Sequence, residues 1–428
     1  MKKIIISFMA AVMLVSVSCG EMDQYPHNAV STENLTENDA QLLLTGLYRI
    51  MQNKPTADGY MTGDVLGGDI VRGGATNIPD PKILIRDLIT PESGFVSGPW
   101  NGYYTGLYQV NSLIKSLEGM APSAARNEML GVTAYFRGMI YLNLVSRYAE
   151  VPILEAPTLA DVAAATESEG WAFVERNLQT AIELCPQYTD KNYVSRQAAK
   201  ALMARAKLFM GKKAEAVALA EELIKDANFS LSDFDDIFRG NANREEIFTF
   251  ANLLMESSVN IGARYYSRSA PNGGSYTYAP TAEVMKMFDP NDNRMDISID
   301  RQGSNDVINK FPGGEIHPDP LIISRIAEMY LISAEGQGLN GGGLARLNDL
   351  RVFRGLKPVN PTTEEDFITA ILDERRHELL GEGFRWFDLV RAGRFESTVG
   401  VEHKYSRMPI PAREMQLNRL LKQNSYWK

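Results

Sequence analysis

The stretch AAKALMARAKLFMGKKAEAVALAEEL, residues 198–223, decides the fold class. Small alanines alternate with large apolar side chains at helical spacing on both sides of Gly211. Alanines let two helices approach closely, while Leu208 and Phe209 can fill the groove between the helices. The pattern predicts a helical hairpin of the tetratricopeptide type.

A second hairpin is predicted over residues 325–354. Helical apolar spacing stops there at the glycine triplet 341–343 and then resumes. The apolar positions of this hairpin are Ile326, Ala327, Tyr330, Leu331, Ala334, Leu344, Leu347 and Leu350. Because the two copies are not closely self-similar, we interpret them as degenerate repeats.

Helical periodicity also covers residues 36–51, 100–117, 123–148 and 364–397, and Thr36 is suited to cap the first of these helices. Two long interruptions, residues 55–99 and 240–320, are rich in turn-forming residues. We therefore predict a mostly α-helical single domain over residues 36–428. Its degenerate tetratricopeptide-like hairpins would carry a loop-rich lobe that the two insertions form.

The N-terminus is typical of an exported protein. Two lysines precede a short apolar run over residues 4–17, which is followed by Ser18 and Cys19. The run is too short for a spanning helix, and its end resembles a bacterial lipobox. We predict a lipoprotein signal peptide over residues 1–18, lipidation of Cys19 and a tether over residues 19–35. The alternative is an ordinary secretory signal with an incidental cysteine.

The overall composition excludes several classes of partner and chemistry. The formal net charge is −9, which disfavours binding to the phosphate backbone of nucleic acids. The chain has only two cysteines and four histidines, and their spacing does not match a zinc site. We expect no metal and no cofactor.

Several ordered motifs resemble one known family. They are RYAEVPI at 147–153, LIISRIAEMYLISAE at 321–335, LNDLR at 347–351, ILDERRHEL at 371–379, GEGFRWFDLVR at 381–391, and MPIP at 408–411 with QNSYW at 423–427. Together they are similar to the SusD/RagB family of nutrient-binding lipoproteins from Bacteroidetes. The acidic residues that follow Cys19 also resemble the surface-export signal of such lipoproteins. The glycine triplet and the short loops depart from the family pattern.

The resemblance implies a function at the cell surface. Such a protein would be anchored by lipid to the outer membrane and would face the extracellular side. It would capture an oligosaccharide or an oligopeptide and act as the lid of a SusC-like TonB-dependent transporter. The sequence does not identify the nutrient.

The ligand contacts are expected in the two insertions, because irregular segments on a helical scaffold often carry binding residues. Aromatic rings and planar polar groups are suited to sugar recognition. The candidates are Tyr60, Asp69, Arg72, Asn77, Phe95, Arg264, Tyr265, Tyr266, Asn272, Tyr276 and Tyr278. For each tyrosine, packing or loop anchoring remains the alternative interpretation.

The charged residues of the C-terminal motifs have a structural interpretation. Glutamates, aspartates and arginines alternate there at helical spacing, so we predict ion pairs that fasten the last helices to the second hairpin. Trp386 is predicted to be a core residue. The turn around Asp289, Asp292 and Arg294 is also interpreted as structural, with an oxygen-rich calcium site as the alternative.

No catalytic residue is predicted. His377 and Glu378 begin like a zinc-protease helix, but Gly381 stands where the second histidine is required. Two other functions stay open. One is a repeat scaffold that binds a protein and no nutrient, and the other is a surface glycoside hydrolase whose carboxylates assemble only in the fold.

Overall fold

The computed structural model describes residues 35–74, 79–253, 255, 257, 259–267, 270, 273–311, 313 and 319–428. Helices dominate the first half of this described chain. They are α1 (Glu37–Asn53), α2 (Thr56–Leu66), α3 (Pro81–Leu88), α4 (Gly94–Glu118), α5 (Ala124–Tyr148), α6 (Glu167–Leu184), α7 (Arg196–Phe209) and α8 (Lys213–Ile224).

The second half combines helices with short strands. Its helices are α9 (Phe234–Phe238), α10 (Gly262–Tyr265), α11 (Met295–Ser298), α12 (Ile326–Gln337), α13 (Leu344–Phe353), α14 (Glu364–Glu378), α15 (Arg385–Arg391), α16 (Phe395–Val399) and α17 (Ala412–Leu417). The strands of the described chain are β1 (Ile70–Arg72), β2 (Glu246–Phe250), β3 (Tyr278–Pro280), β4 (Ile299–Gln302), β5 (Asn305–Ile308) and β6 (Leu321–Arg325). They form antiparallel pairs, β1 with β3, β2 with β6 and β4 with β5.

Both predicted hairpins are present, so the predicted helical fold class is confirmed. α4 to α8 pack in chain order, each against the next helix. Ala198, Ala201 and Ala204 of α7 are fully buried, as close approach of neighbouring helices requires. α12 and α13 form the second hairpin, and α12 packs against α8. The two hairpins therefore adjoin in one helical body.

The prediction of a loop region over residues 55–99 is wrong for most of its length, because α2, α3 and the start of α4 lie there. Pro81 occupies the first turn of α3, where the missing N–H costs nothing. Gly63 is a packing position of α2, since a Cβ there would lie 1.9 Å from the carbonyl oxygen of Gly383. The prolines and glycines that indicated loops thus serve helix starts and close contacts.

The second insertion is irregular, as predicted, but it contains more regular structure than loops alone. Residues 240–320 include β2 to β5 and the short helices α10 and α11. β2 is buried throughout. Its pairing with β6 joins the insertion to the start of the second hairpin.

Candidate functional site

The two insertions meet in one antiparallel ribbon. β1 and β3 pair with Arg72 opposite Tyr278, and the backbone N–H of Gly73 donates to the carbonyl oxygen of Thr277 at 3.0 Å. Because the strands run in opposite directions, the segment after Arg72 and the segment before Tyr278 leave the ribbon at the same end. We call this place, formed by Arg72, Gly73, Thr277 and Tyr278, the ribbon end.

Arg72 keeps unused hydrogen-bonding capacity at the ribbon end. Its guanidinium approaches the carboxylate of Asp87 only to 3.8 Å. Its Nε is shielded from solvent and has no hydrogen-bond partner among the described residues. A buried N–H without an acceptor costs free energy, so an incoming oxygen atom would be stabilised there.

Charged groups from separate elements surround Tyr278. Burial raises the pKa of the Tyr278 hydroxyl above its usual range, and the nearby negative charge of Asp58 raises it further. Arg264 and Arg72 act on the same hydroxyl in the opposite direction. Arg264 is half-buried in α10 and makes no ion pair with another described residue. The electrostatic surroundings of Tyr278 therefore include two guanidinium groups and a carboxylate that come from separate elements.

The backbone beside the ribbon end is tightly constrained. Tyr276 has a φ of 48°, which is rare for a residue other than glycine. Its hydroxyl donates to the carbonyl oxygen of Asp306 at 3.1 Å, which fixes the half-buried ring. A Cβ on Gly73 would lie 2.5 Å from the carbonyl oxygen of Tyr276, so a larger residue does not fit at that position. The Tyr276 ring is therefore held before any ligand arrives.

Comparison with known proteins identifies the family. Residues 165–406, more than half of the chain, match the family model described as the SusD family. The chain belongs to the SusD family. Residues 22–208 also match a model described as starch-binding and associating with the outer membrane.

Relatives of this SusD-family chain cover it nearly end to end. The SusD-like proteins P38 and P2 of Formosa agariphila are 24 % and 23 % identical to it over 93 % and 91 % of both chains. A SusD superfamily structure from Bacteroides thetaiotaomicron matches with a TM-score of 0.79 at 22 % identity, over 91 % of this chain and 100 % of that one. A structure described as a laminarin-binding SusD-like protein gives 0.78 at 23 % identity, over 91 % and 99 %. The family of this chain is thus a carbohydrate-binding one that is associated with the outer membrane.

Five of the candidate ligand residues make contacts within the fold. Phe95 and Tyr265 are core residues, with 7 % and 0 % of their surface exposed. The hydroxyl of buried Tyr266 donates to Asn309 Oδ1 at 3.1 Å, and that of Tyr60 donates to the carbonyl oxygen of Gln52 at 2.8 Å. Helix and lobe packing covers much of these four aromatic side chains, which composition alone does not indicate.

Asp69 is the fifth of these residues. Its buried carboxylate accepts hydrogen bonds from Arg376 Nε and NH2, at 2.9 and 2.5 Å to Oδ1. This ion pair connects α14 with the turn that follows α2, so the Asp69 carboxylate stabilises the fold. Sequence analysis missed Asp58 at the ribbon end, since its helix α2 was predicted as a loop.

Three further predictions fall outside the described residues. They are the candidate ligand residues Asn77 and Asn272 and the predicted lipidation site Cys19. Arg72, Arg264, Tyr276 and Tyr278 are the candidates that the structure brings together at or beside the ribbon end.

The SusD-family motifs of the C-terminal third form a buried ionic network. Glu378 lies at its centre, and its carboxylate accepts from Arg325 NH1 at 2.5 Å, Arg354 NH2 at 2.8 Å and Arg294 NH1 at 2.8 Å. Five of the predicted members are buried and two are half-buried. The buried ones are Glu374, Arg375, Glu378, Arg385 and Asp388, and the half-buried ones are Glu382 and Arg391. Arg294, Arg325 and Arg354 come from distant parts of the chain, and sequence analysis did not assign them to this network.

The network supports the structural interpretation of these charges. Arg375 Nε donates to Asp388 Oδ2 at 2.7 Å, and Arg391 pairs with Glu335 of α12, which fastens α15 to the second hairpin. Trp386 is fully buried, as predicted. Both oxygens of Asp292 accept from Arg294, at 2.8 Å each, so this carboxylate is used within the turn.

Neither a metal centre nor a membrane span emerges from the described parts of the SusD-family chain. Within them, no cluster of three or more histidine, cysteine, aspartate or glutamate side chains has the arrangement of a metal site. None of the described helices combines the length and apolarity needed to cross a bilayer. His377 contacts backbone oxygens, Nδ1 that of Asp373 at 2.7 Å and Nε2 that of Met287 at 3.0 Å.

Proposed function

We propose that this protein is a cell-surface lipoprotein that binds an oligosaccharide at the ribbon end and delivers it to a SusC-like TonB-dependent transporter. The observation that carries the proposal is the β1–β3 pairing, which unites the two insertions in one place. Membership of a carbohydrate-binding family supports a glycan as the ligand. Binding needs stacking and hydrogen bonds only, so the protein needs neither a catalytic residue nor a cofactor.

The chemistry of the ribbon end suits a sugar. Sugar hydroxyls both donate and accept hydrogen bonds, so they can accept from Arg72 and Arg264 and donate to Asp58. The half-buried ring of Tyr276 adds aromatic surface for the C–H face of a sugar ring. A peptide could also use these donors, so the ligand panel must include both classes.

A binding titration tests the site. The panel contains laminarin-derived and starch-derived oligosaccharides and short peptides, and each is titrated calorimetrically into the mature protein in detergent. We expect saturable binding of a saccharide and an affinity about tenfold lower for Arg72→Ala, because about 1.4 kcal/mol of hydrogen bonding to a charged group is lost.

Arg176→Ala is the matched control, because Arg176 is an exposed arginine of α6 that pairs with Glu155 at 3.0 Å. Its affinity should equal that of the unaltered protein. Equal affinities for Arg72→Ala and the unaltered protein would contradict the proposed site. Saturable binding of a peptide alone would change the ligand class from glycan to peptide.

The partner and the anchor need a separate experiment. We propose that the chain is processed after residue 18, lipidated on Cys19 and tethered through residues 19–35, with residues 36–428 as the SusD-like domain. A pull-down from detergent-solubilised outer membrane should recover a large TonB-dependent barrel in near-equal amount. Cys19→Ala should release the protein from the membrane fraction.

Two rival functions predict different outcomes of these experiments. A protein-binding scaffold would show no saturable saccharide binding and would recover no barrel. A surface glycoside hydrolase would release shortened products after long incubation with polysaccharide, so chromatographic analysis of those products separates turnover from binding.

A further inference from the structure

A groove separate from the ribbon end lies on the helical body. It runs between α1, the first turns of α5 and the loop that joins α6 to α7, and β2 closes it near Phe250. Its volume is about 510 Å³, which is within the usual size of small-molecule sites. Buried apolar side chains line the floor, namely Leu44, Met129, Val132, Val194 and Phe250. No residue of the ribbon end contributes to the groove.

Tyr193 forms one wall of this groove and is 63 % exposed. Its ring meets the ring of Tyr48 edge to face, with 6.3 Å between centroids. The hydroxyl of Tyr48 accepts from the backbone N–H of Val194 at 2.9 Å, which ties the loop to α1. An exposed aromatic ring on a fixed loop can stack on a ligand without first being ordered.

The same loop is also fastened to β2. The backbone N–H of Thr249 donates to the carbonyl oxygen of Lys191 at 2.9 Å, and Asn192 Nδ2 donates to the carbonyl oxygen of Thr249 at 3.1 Å. These bonds fix the two residues before Tyr193, and the bond from Val194 to Tyr48 fixes the residue after it. The aromatic wall is therefore preorganised.

Two opposite charges stand on the rim and have no ion-pair partner among the residues that the structure describes. Arg49 of α1 and Glu128 of α5 are exposed, and neither makes an ion pair or a side-chain hydrogen bond with another residue in the described part of the chain. The amide of Gln41 also faces the groove without a side-chain partner in that part of the chain. A sugar hydroxyl both donates and accepts hydrogen bonds. A short chain of sugars can therefore accept from the Arg49 guanidinium and donate to the Glu128 carboxylate at the same time.

We infer that this groove, which we call the Tyr193 groove, is a second glycan-binding site that holds a short neutral oligosaccharide against Tyr193. The inference rests on the proposed function, because it takes glycans as the ligand class of the protein. The apolar floor would contact C–H faces of the sugar, and Arg49, Glu128 and Gln41 would bind its hydroxyls. Two separate sites would let one chain hold a long glycan at two points, which strengthens binding beyond either site alone.

Calorimetric stoichiometry tests the inference. The mature protein in detergent is titrated with each short oligosaccharide of the panel, alongside Tyr193→Ala, Arg72→Ala and the double variant. We expect two molecules bound per unaltered chain. We expect the affinity of the Tyr193 groove to fall about tenfold in Tyr193→Ala, and the affinity of the ribbon end to fall in Arg72→Ala.

Tyr108→Ala is the matched control, because Tyr108 is a 55 % exposed tyrosine that does not line the groove. Thermal unfolding followed by circular dichroism checks that each variant folds, and Tyr193→Phe should retain binding because stacking needs the ring alone.

The outcomes separate the two proposals. One bound molecule that is lost in Arg72→Ala and unaffected in Tyr193→Ala overturns the Tyr193 groove and leaves the ribbon end intact. One bound molecule with the reverse pattern supports the groove and contradicts the ribbon end. Absence of saccharide binding in the unaltered protein overturns both.

Discussion

At the scale of single residues, Glu378 is the charge on which the buried ionic network depends. It is fully buried and accepts hydrogen bonds from three arginines, Arg294, Arg325 and Arg354. Burial alone would raise the pKa of Glu378, but the positive charges of these arginines outweigh burial and hold the pKa well below its usual range. The carboxylate therefore stays ionised inside the protein.

Removing this charge should destabilise the fold strongly. Glu378→Gln leaves several buried guanidinium groups without their shared counter-charge, so we expect the free energy of unfolding to fall by about 3 kcal/mol. Urea unfolding measures the loss. Glu365→Gln is the control, because Glu365 is exposed and pairs with Arg394 at the surface, where such a pair contributes about 0–1 kcal/mol. Equal losses in the two variants would contradict the central role of Glu378.

At the scale of secondary structure elements, capping residues fix where the helices begin. Thr36 accepts from the backbone N–H of Asp39, as its position before an apolar stripe predicted. α6 has the same arrangement, in which Thr166 Oγ1 accepts from the N–H of Glu169 at 3.2 Å and Glu169 Oε2 accepts from the N–H of Thr166 at 2.8 Å. Such a reciprocal pair satisfies N–H groups that a helix start leaves open.

The capping pair of α6 can be tested by one substitution. Thr166→Ala should lower the free energy of unfolding by about 1 kcal/mol, because the N–H of Glu169 loses its acceptor. Thr180→Ala in the exposed middle of the same helix is the control and should leave stability unchanged or slightly higher, since alanine favours helices. A loss in Thr180→Ala as large as that in Thr166→Ala would show that capping is not the cause.

At the scale of the whole molecule, Asp64 joins distant parts of the chain. It lies in α2, and its carboxyl accepts from the N–H of Gly381 at 3.1 Å and from the N–H of Gly383 at 2.6 Å. Burial raises the pKa of Asp64 to about 8, from 3.8. The folded state thus favours the neutral carboxyl, and that contribution is complete below pH 3.8 and is lost as the pH rises towards about 8.

A pH series of urea unfolding checks this linkage. The stability of the unaltered protein should fall relative to that of Asp64→Asn as the pH rises from about 4 to 8, because asparagine has no charge to desolvate. Asp235→Asn, at an exposed aspartate of α9, should show no such trend. A stability difference between Asp64→Asn and the unaltered protein that stays constant with pH would contradict the raised pKa.

The sequence by itself determined the helical hairpins and the family. Both follow from local patterns, since the alanine spacing of residues 198–223 and the interruption before Leu344 involve neighbours within a few helical turns. The ordered motifs of the C-terminal third likewise need no knowledge of distant contacts. The same local rules failed over residues 55–99, where a glycine such as Gly63 serves a contact with Gly383 and not a turn.

Only the tertiary structure decided which candidate residues share a site. Strand pairing brings Arg72 next to Tyr278, although about two hundred residues separate them in the sequence. The periodicity within either segment does not encode this pairing. Burial of Tyr265 and Tyr266 and the ion pair between Arg294 and Glu378 have the same origin. The residue type of an aromatic or charged side chain does not indicate whether that side chain lies in a core or on a binding surface. Packing between distant segments decides its location.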